Sequence, residues 1–351
     1  MTPIGADFNA VNFSSDTSAP AHLAVIEALA RVNSGMEGSY GGDSATGQVR
    51  ELLKSALETD DFEFWLCASG TASNALALSV MCSPTGSILC HREAHIERDE
   101  RGAPEFFTGG AKLHLLDGPS AQIDETALRD ALGRIDREFV HETPPDVLSL
   151  TNLTESGTAY SVEKIAHYAQ LAKAAGLRVH LDGARLANAL VSTGASLADM
   201  TWRAGVDVVT LGLTKTGAIG CEIIILFGDM RGRYKDLLAR AKRSGHMPPK
   251  MRFIAAQAEA LLSDGLWLDL AAMANSRARE FSNIICSAPG VSLAHSVDGN
   301  EVFAVLPPEV DTRLRDAGGV FYPWIDGSHR FVCSWATPQS DLDALRAVLA
   351  G

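Results

Sequence analysis

Lys215 stands in Val208-Val209-Thr210-Leu211-Gly212-Leu213-Thr214-Lys215-Thr216-Gly217, at the end of an apolar run and between hydroxyls and glycines. An ammonium drawn away from water is costly unless it is neutralised or covalently modified. A lysine in that setting points to an amine kept as a nucleophile toward a carbonyl, which is Schiff-base chemistry. Upstream, Leu177-Arg178-Val179-His180-Leu181-Asp182-Gly183-Ala184-Arg185 ends a second apolar run in an acid, a glycine and an arginine. The pair suits pyridoxal phosphate, whose aldehyde condenses with a lysine and whose pyridine nitrogen needs a facing carboxylate.

Three further groups bear on that reading. In Cys67-Ala68-Ser69-Gly70-Thr71-Ala72-Ser73-Asn74, a strand ends in small residues and an apolar helical run begins, leaving backbone N–H groups and hydroxyls for an anion. Alone, Ser69 or Thr71 is more simply a helix cap; beside Lys215 and Asp182, a phosphate cradle is the better reading. His91-Arg92-Glu93-Ala94-His95 has the four-residue spacing of a helical zinc pair. It lacks the His-Glu-x-x-His order, and His91 directly follows a strand, so a single functional His95 is expected, stacked on a flat ring or relaying a proton. The plain alternative is a structural histidine. Arg330, in His329-Arg330-Phe331-Val332-Cys333-Ser334-Trp335, offers a planar fork for a carboxylate, against the alternative of an ordinary surface arginine.

These residues need a scaffold that brings strand ends together. From about residue 48 the chain alternates short apolar runs with amphipathic stretches, the pattern of strands feeding crossover helices around a mostly parallel sheet. Seven strands are expected, at 62–67, 87–90, 112–116, 146–151, 177–181, 206–211 and 221–227, with helices over 123–137 and 161–175 among those between them. Right-handed crossovers would gather the C-terminal strand ends on one rim, where Asp182 and Lys215 meet. After Gly245-His246-Met247-Pro248-Pro249 the pattern changes to a long helical stretch, then short strands and a closing helix. The expected organisation is therefore an arm with active-site loops over 1–47, a large α/β domain over 48–246, and a smaller α+β domain over 247–351. The arm has no strong periodicity, and its Ser14–Thr17 and Tyr40–Asp43 stretches read as turns or active-site loops.

Composition narrows the partners. A hydrophobic content of 46% supports a large core, and a formal charge of −13 works against attachment to nucleic acid or anionic membranes. The longest aliphatic stretch, Ile223–Phe227, is only strand-sized, and residues 1–10 lack a basic region and an apolar signal core. A cytoplasmic protein acting on a small molecule is expected. The six cysteines form no Cys-x-x-Cys pair and sit mostly in apolar segments, as reduced core thiols do.

Taken together the motifs resemble the L-threonine aldolases, members of the aspartate-aminotransferase-like, fold type I group of pyridoxal-phosphate enzymes. The resemblance spans nearly the whole chain and is closest to the bacterial low-specificity branch. It rests on Ser15-Asp16-Thr17, Tyr40-Gly41-Gly42-Asp43, Gly70-Thr71-Ala72-Ser73-Asn74, Ala94-His95-Ile96-Glu97-Arg98-Asp99-Glu100, Gly102-Ala103-Pro104-Glu105-Phe106, Asp182-Gly183-Ala184-Arg185 and Thr214-Lys215. It implies that Lys215 holds pyridoxal 5'-phosphate as a Schiff base, Asp182 keeps the ring nitrogen protonated, Arg185 lies near the ring and His95 stacks on it. Gly70 and Thr71 match the phosphate turn. Ser15 and Arg330 match positions that hold the amino acid carboxylate, and Asp99 falls near the substrate β-carbon. His141 matches a second active-site histidine, so His95 and His141 are the implied candidates for the base. The family forms homodimers or homotetramers with shared sites; Tyr40, on the substrate side, is a candidate for cross-subunit contact, as are Lys250 and Arg252. Two departures, Gly42 where many relatives carry an acid and Arg101 where the bacterial branch has a small or sulfur-bearing residue, touch side-chain preference and leave the cofactor residues intact. The implied reaction is retro-aldol cleavage of L-threonine, L-allo-threonine or another β-hydroxy-α-amino acid to glycine and an aldehyde. The competing readings are another fold type I reaction, β-elimination or transamination, and a non-catalytic cofactor-binding protein.

Overall fold

In the computed structural model, residues 11–350 are described. The seven expected strands all form: β1 (Phe62–Cys67), β2 (Ser87–His91), β3 (Lys112–Leu116), β4 (Pro145–Thr151), β5 (Arg178–Gly183), β6 (Val208–Gly212) and β7 (Glu222–Phe227). They make one sheet in the order β1-β7-β6-β5-β4-β2-β3. Every neighbouring pair is parallel except those of β7, which runs antiparallel to both β1 and β6. β2, β6 and β7 are buried along their whole length, which is why they read as continuous apolar runs without alternation.

The topology decides where chemistry can occur. The C-terminal ends of the parallel strands share one rim, and the reversed β7 contributes its first residue, Glu222, to that same rim, opposite Gly212 and Cys67. Behind the sheet lies the helix Gly70–Met81, buried at every position from Ala72 onward. Two of its polar residues are absorbed locally: Ser73 and Ser79 donate to the carbonyls of Gly70 and Leu76, each at 2.7 Å, while Thr71 and Asn74 face the site.

Helix boundaries differ in instructive ways. The helix Val162–Ala174 sits where expected, capped by Ser161, whose hydroxyl accepts from Lys164 N at 3.2 Å. The expected helix over 123–137 is only Glu125–Gly133, started by Asp124, and the chain from 134 to 144 is an irregular, largely exposed connection. In the arm, Tyr40–Asp43 is a helix entry: Asp43 accepts from Thr46 N at 2.8 Å and caps Ser44–Leu57. A further helix, Leu23–Val32, was hidden because Leu23 and Ile26 are exposed, so apolar residues on its outer side blur the 3.6-residue period.

Packing crosses the expected division at 246/247. Helix Arg252–Leu262 packs on Leu23–Val32 and Ser44–Leu57, and its buried residues, with Trp267, Leu270 and Ala271, belong to the core of the large sheet. The small-domain core begins at Ala278, inside helix Leu266–Ile285, and includes Phe13 from the arm. Over it lies an antiparallel sheet of β8 (Ser292–Leu293), β9 (Glu301–Val305), β10 (Tyr322–Pro323) and β11 (His329–Val332), in the order β10-β11-β9-β8. The arm joins it: Phe13 N donates to Val320 O at 2.9 Å, and Val332 N donates to Phe13 O at 2.8 Å. Among the described residues no helix is long and apolar enough to cross a membrane. All six cysteines are free, and all but Cys286 are buried.

Candidate active site

A cavity of about 230 Å³ opens at the C-terminal rim, lined by residues that follow five different strands: Ser69, Gly70 and Thr71 after β1, His95 after β2, Glu155 after β4, Asp182 and Arg185 at β5, and Lys215 after β6. Glu222 closes the floor. The approach of β5 to β6 is tight, since a Cβ on Gly212 would stand 2.6 Å from the Ala184 carbonyl oxygen. Glycine there lets the turn carrying Lys215 press against the segment carrying Asp182. The motif Gly212 to Lys215 is thus a packing requirement followed by a reactive group.

A chain of hydrogen bonds fixes the acid and the imidazole together. Asp182 accepts from the Asn74 amide at 2.8 Å and from Ala184 N at 3.0 Å. The same Asn74 amide donates to Glu100 at 2.8 Å, and Thr210 Oγ1 donates to Asn74 Oδ1 at 2.7 Å, which settles the amide's orientation. Glu100 in turn meets His95 Nδ1 at 2.8 Å. His95 N donates to Glu155 Oε1 at 2.7 Å. Burial alone would depress the His95 imidazole, but its bond to Glu100 and the charges of Asp182 and Glu100 outweigh that and raise it above its ordinary value.

Electrostatics separates the carboxylates. Burial raises Glu100, and it pushes both Glu155 and Glu222 up to about 7, helped in each case by the negative charge of Asp182. Lys215, half-buried, is lowered by burial and then by the Arg185 guanidinium, with Asp16, Glu301 and Asp182 acting in the opposite direction. Both influences favour the neutral, nucleophilic amine. Asp16 is also buried, yet Arg185 and Lys215 hold its carboxyl well below the usual range. Arg185 forks onto it, Nε to Oδ2 at 2.8 Å and Nη2 to Oδ1 at 3.2 Å, and Asn300 adds a bond at 3.0 Å.

The expected site residues divide into two sets. Gly70, Thr71, His95, Asp182, Arg185 and Lys215 come together around the cavity. Arg330 lies one link away: its Nε and Nη2 both meet Glu301 Oε1 at 3.0 Å, while Glu301 Oε2 is 3.3 Å from Arg185 Nη1. Ser15 caps the short turn Asp16–Ser18, and Thr17 of that turn reaches the cavity. Asp99 is exposed and ends the short helix His95–Arg98. Tyr40 stands away from the cavity, 45% exposed, with its N–H on Pro249 O and Lys242 4.5 Å from its ring centroid. His91 bonds the Gly118 carbonyl at 3.1 Å, apart from His95.

His141 does not line this chain's cavity. It is exposed, lies in the connection before β4, and borders a surface groove with Lys112, His114, Arg134 and Pro144. Those residues are at the N-terminal ends of β3 and β4, so the whole sheet separates His141 from Lys215. The polar group that follows β4 into the cavity is Glu155. Reading by position would have found it, because a residue just after a parallel strand faces the ligand rim whatever its type. Asn74, Glu100 and Glu222 were likewise not assigned from sequence, although Asn74 and Glu100 stand inside quoted motifs.

The residues fit pyridoxal 5'-phosphate. An amine and a carboxylate share one cavity, and the helix Gly70–Met81 begins at its wall with no atom within 4 Å of where a Gly70 Cβ would stand, leaving open space before the first-turn amides. Ser69 Oγ caps Ala72 N at 3.3 Å, so the amides of Gly70 and Thr71 remain for an anion.

The profile of the β-eliminating lyase family matches residues 12–307. The chain is 38% identical over 320 residues to a low specificity L-threonine aldolase of Pseudomonas aeruginosa, an alignment covering 91% of this chain and 90% of that protein. It is 36% identical over 321 residues to a low specificity L-threonine aldolase from a Pseudomonas strain, covering 91% of each. Among solved structures, a threonine aldolase of Leishmania major superposes with a TM-score of 0.89 at 27% identity, over 97% of this chain and 98% of that one. An aspartate aminotransferase of Rhodobacter sphaeroides superposes at 0.68 with 20% identity, over 99% and 95%, and shares the fold.

Proposed function

The chain belongs to the β-eliminating lyase family, a pyridoxal-phosphate-dependent group in which it stands beside the low-specificity threonine aldolases, and from that premise we propose that it is an aldehyde-lyase cleaving L-threonine and L-allo-threonine to glycine and acetaldehyde. The observation that supports this best is the meeting of Lys215, Asp182, His95 and the Gly70 helix start in one cavity. Bound there, pyridoxal 5'-phosphate supplies an aldehyde for amines and a ring that draws charge from Cα.

Each residue then has a task of its own. Lys215, with its depressed basicity, is the amine that holds the cofactor and gives way to the substrate amine. Asp182, oriented by Asn74 and Ala184, keeps a negative charge where the pyridine nitrogen must stay protonated. The amides of Gly70 and Thr71 face the phosphate, and the His95 ring, held by Glu100, covers one face of the cofactor. Arg330 keeps donors beyond those given to Glu301, enough to grip the substrate carboxylate with Ser15 and so orient the bond to be broken. Asp99 stands at the side where a β-substituent would extend. Tyr40, Lys250 and Arg252, which do not line this chain's cavity, are placed by this reading at a homodimer or homotetramer interface, where Tyr40 would reach a partner's site. Free, mostly buried cysteines suit a reducing cytoplasm.

The test is direct. Purified protein with pyridoxal 5'-phosphate is given L-threonine or L-allo-threonine, and glycine and acetaldehyde are quantified against Lys215→Ala. Equimolar products absent from the variant are expected, together with loss of the lysine-bound cofactor's visible absorbance. A keto acid with the amine form of the cofactor would instead mean transamination.

A further inference from the structure

We propose that Glu155 is the group that takes the proton from the substrate's β-hydroxyl as the Cα–Cβ bond breaks, a task for which the family resemblance implies His95 and His141 as candidates. The inference rests on the aldolase reading above. Glu155 lines the cavity on the segment leaving β4, and that segment is firmly held. Asn152 N donates to Asp182 O at 2.9 Å, Thr154 N to Thr158 O at 2.9 Å, and the hydroxyls of Thr154 and Thr158 both donate to Ser120 O, at 3.1 and 2.9 Å. One carboxyl oxygen, Oε1, is fixed by the His95 amide at 2.7 Å. The other, Oε2, is buried and has no hydrogen-bond partner among the described residues. A buried carboxyl oxygen without a partner is costly unless a ligand group meets it, and a hydroxyl meets it well.

The chemistry balances without a co-reactant. The β-oxygen loses its proton to Glu155 Oε2 and becomes the carbonyl oxygen of the aldehyde. The electron pair of the broken bond stays on Cα, which then takes up a proton to give glycine, while Glu155 returns its own to solvent. The groups around Glu155 are Asp182, the His95 ring, Arg185, Cys90 and Tyr160. Burial and the Asp182 charge bring its carboxyl to about 7, near the pH at which a general base works best.

Glycine separates this role from a structural one, because its α-proton can be exchanged with solvent although it has no β-hydroxyl. Glu155→Gln, loaded with pyridoxal 5'-phosphate, should cleave L-threonine about 10²–10⁴-fold more slowly. It should retain the cofactor's absorbance, the affinity for glycine, and exchange of the glycine α-proton in deuterated water followed by NMR. The rising limb of the wild-type rate near neutral pH should vanish in this variant, and Glu155→Asp should recover part of the loss. A Gln variant that cleaves threonine at nearly the wild-type rate, or that loses cleavage and glycine exchange in equal measure, overturns the assignment. Wild-type protein that exchanges the glycine proton yet cleaves no β-hydroxy amino acid overturns the aldolase reading, and this role with it.

Discussion

The two rims of the large sheet both gather titratable side chains, but in opposite surroundings. At the N-terminal rim, Lys112, His114, Arg134 and His141 border an open groove, and His141 is fully solvated. At the C-terminal rim, Asp182, Glu100, Glu155, Glu222, His95 and Lys215 crowd into about 230 Å³ and share hydrogen bonds. In the first set burial and the charges of Lys112 and Arg134 lower the His114 imidazole, with no hydrogen-bonded network among the described residues to offset them. The second set is cut off from water and crowded with charge, and burial with the Asp182 charge is how carboxyls reach about 7, as burial with the Arg185 charge is how an amine becomes nucleophilic without any unusual residue type. Side-chain identity marks a candidate; the rim it occupies decides whether it can act.

The sharpest way to break the comparison is at the buried rim. Asp182→Asn should lower kcat at least about 100-fold, the loss expected when a charge aimed at the reacting system is removed. Thermal stability should hold, because the change relieves repulsion among Glu100, Glu155 and Glu222; unchanged kinetics would show that another group sets the ring charge. Next comes Asp16→Asn, which leaves Arg185 with a weakened partner and should cost roughly 3 kcal/mol at pH 7, read by denaturant unfolding. The sign with pH is fixed by the depressed carboxyl: its contribution is present above the ordinary value of 3.8 and is lost as pH falls toward the folded value. The gap between wild type and variant should therefore narrow only in strong acid, and a gap that is flat down to pH 2 contradicts the ion pair's role.

Two smaller effects sharpen the contrast. Arg330→Ala should raise KM for threonine about tenfold or more while leaving the cofactor's absorbance intact, since one charge-assisted contact is worth roughly 1.5–3 kcal/mol. An unaltered KM would reject its carboxylate role. His141→Ala should change kcat/KM by less than about twofold, as an exposed residue outside any network does. A tenfold loss there would mean that the open rim takes part in catalysis after all.

Much of this was legible in the sequence because buried parallel strands write themselves as apolar runs, and the residues just after them are the ones that face a ligand. Lys215, Asp182 and the Gly70 turn were found that way. The failures share a cause. Type and resemblance single out His141, which precedes β4, whereas place in the sheet singles out Glu155, which follows it. Helix Leu23–Val32 was missed because exposed Leu23 and Ile26 spoil its period. The link from Arg330 through Glu301 to Arg185 depends on a meeting between residues far apart in the chain, which no local pattern records.

The arm's seat in the small sheet has a consequence for the order in which the molecule is completed. Phe13 pairs with Val320 and Val332, and Asp16, three residues on, clasps Arg185. Phe13 precedes Val320 by 307 residues (320 − 13), so the contact that seats it closes a long loop and is slow to form. Lys215, Asp182, His95 and the Gly70 turn all lie between the two ends of that loop. A chain in which that loop is still open would lack the seat that carries Asp16 to Arg185.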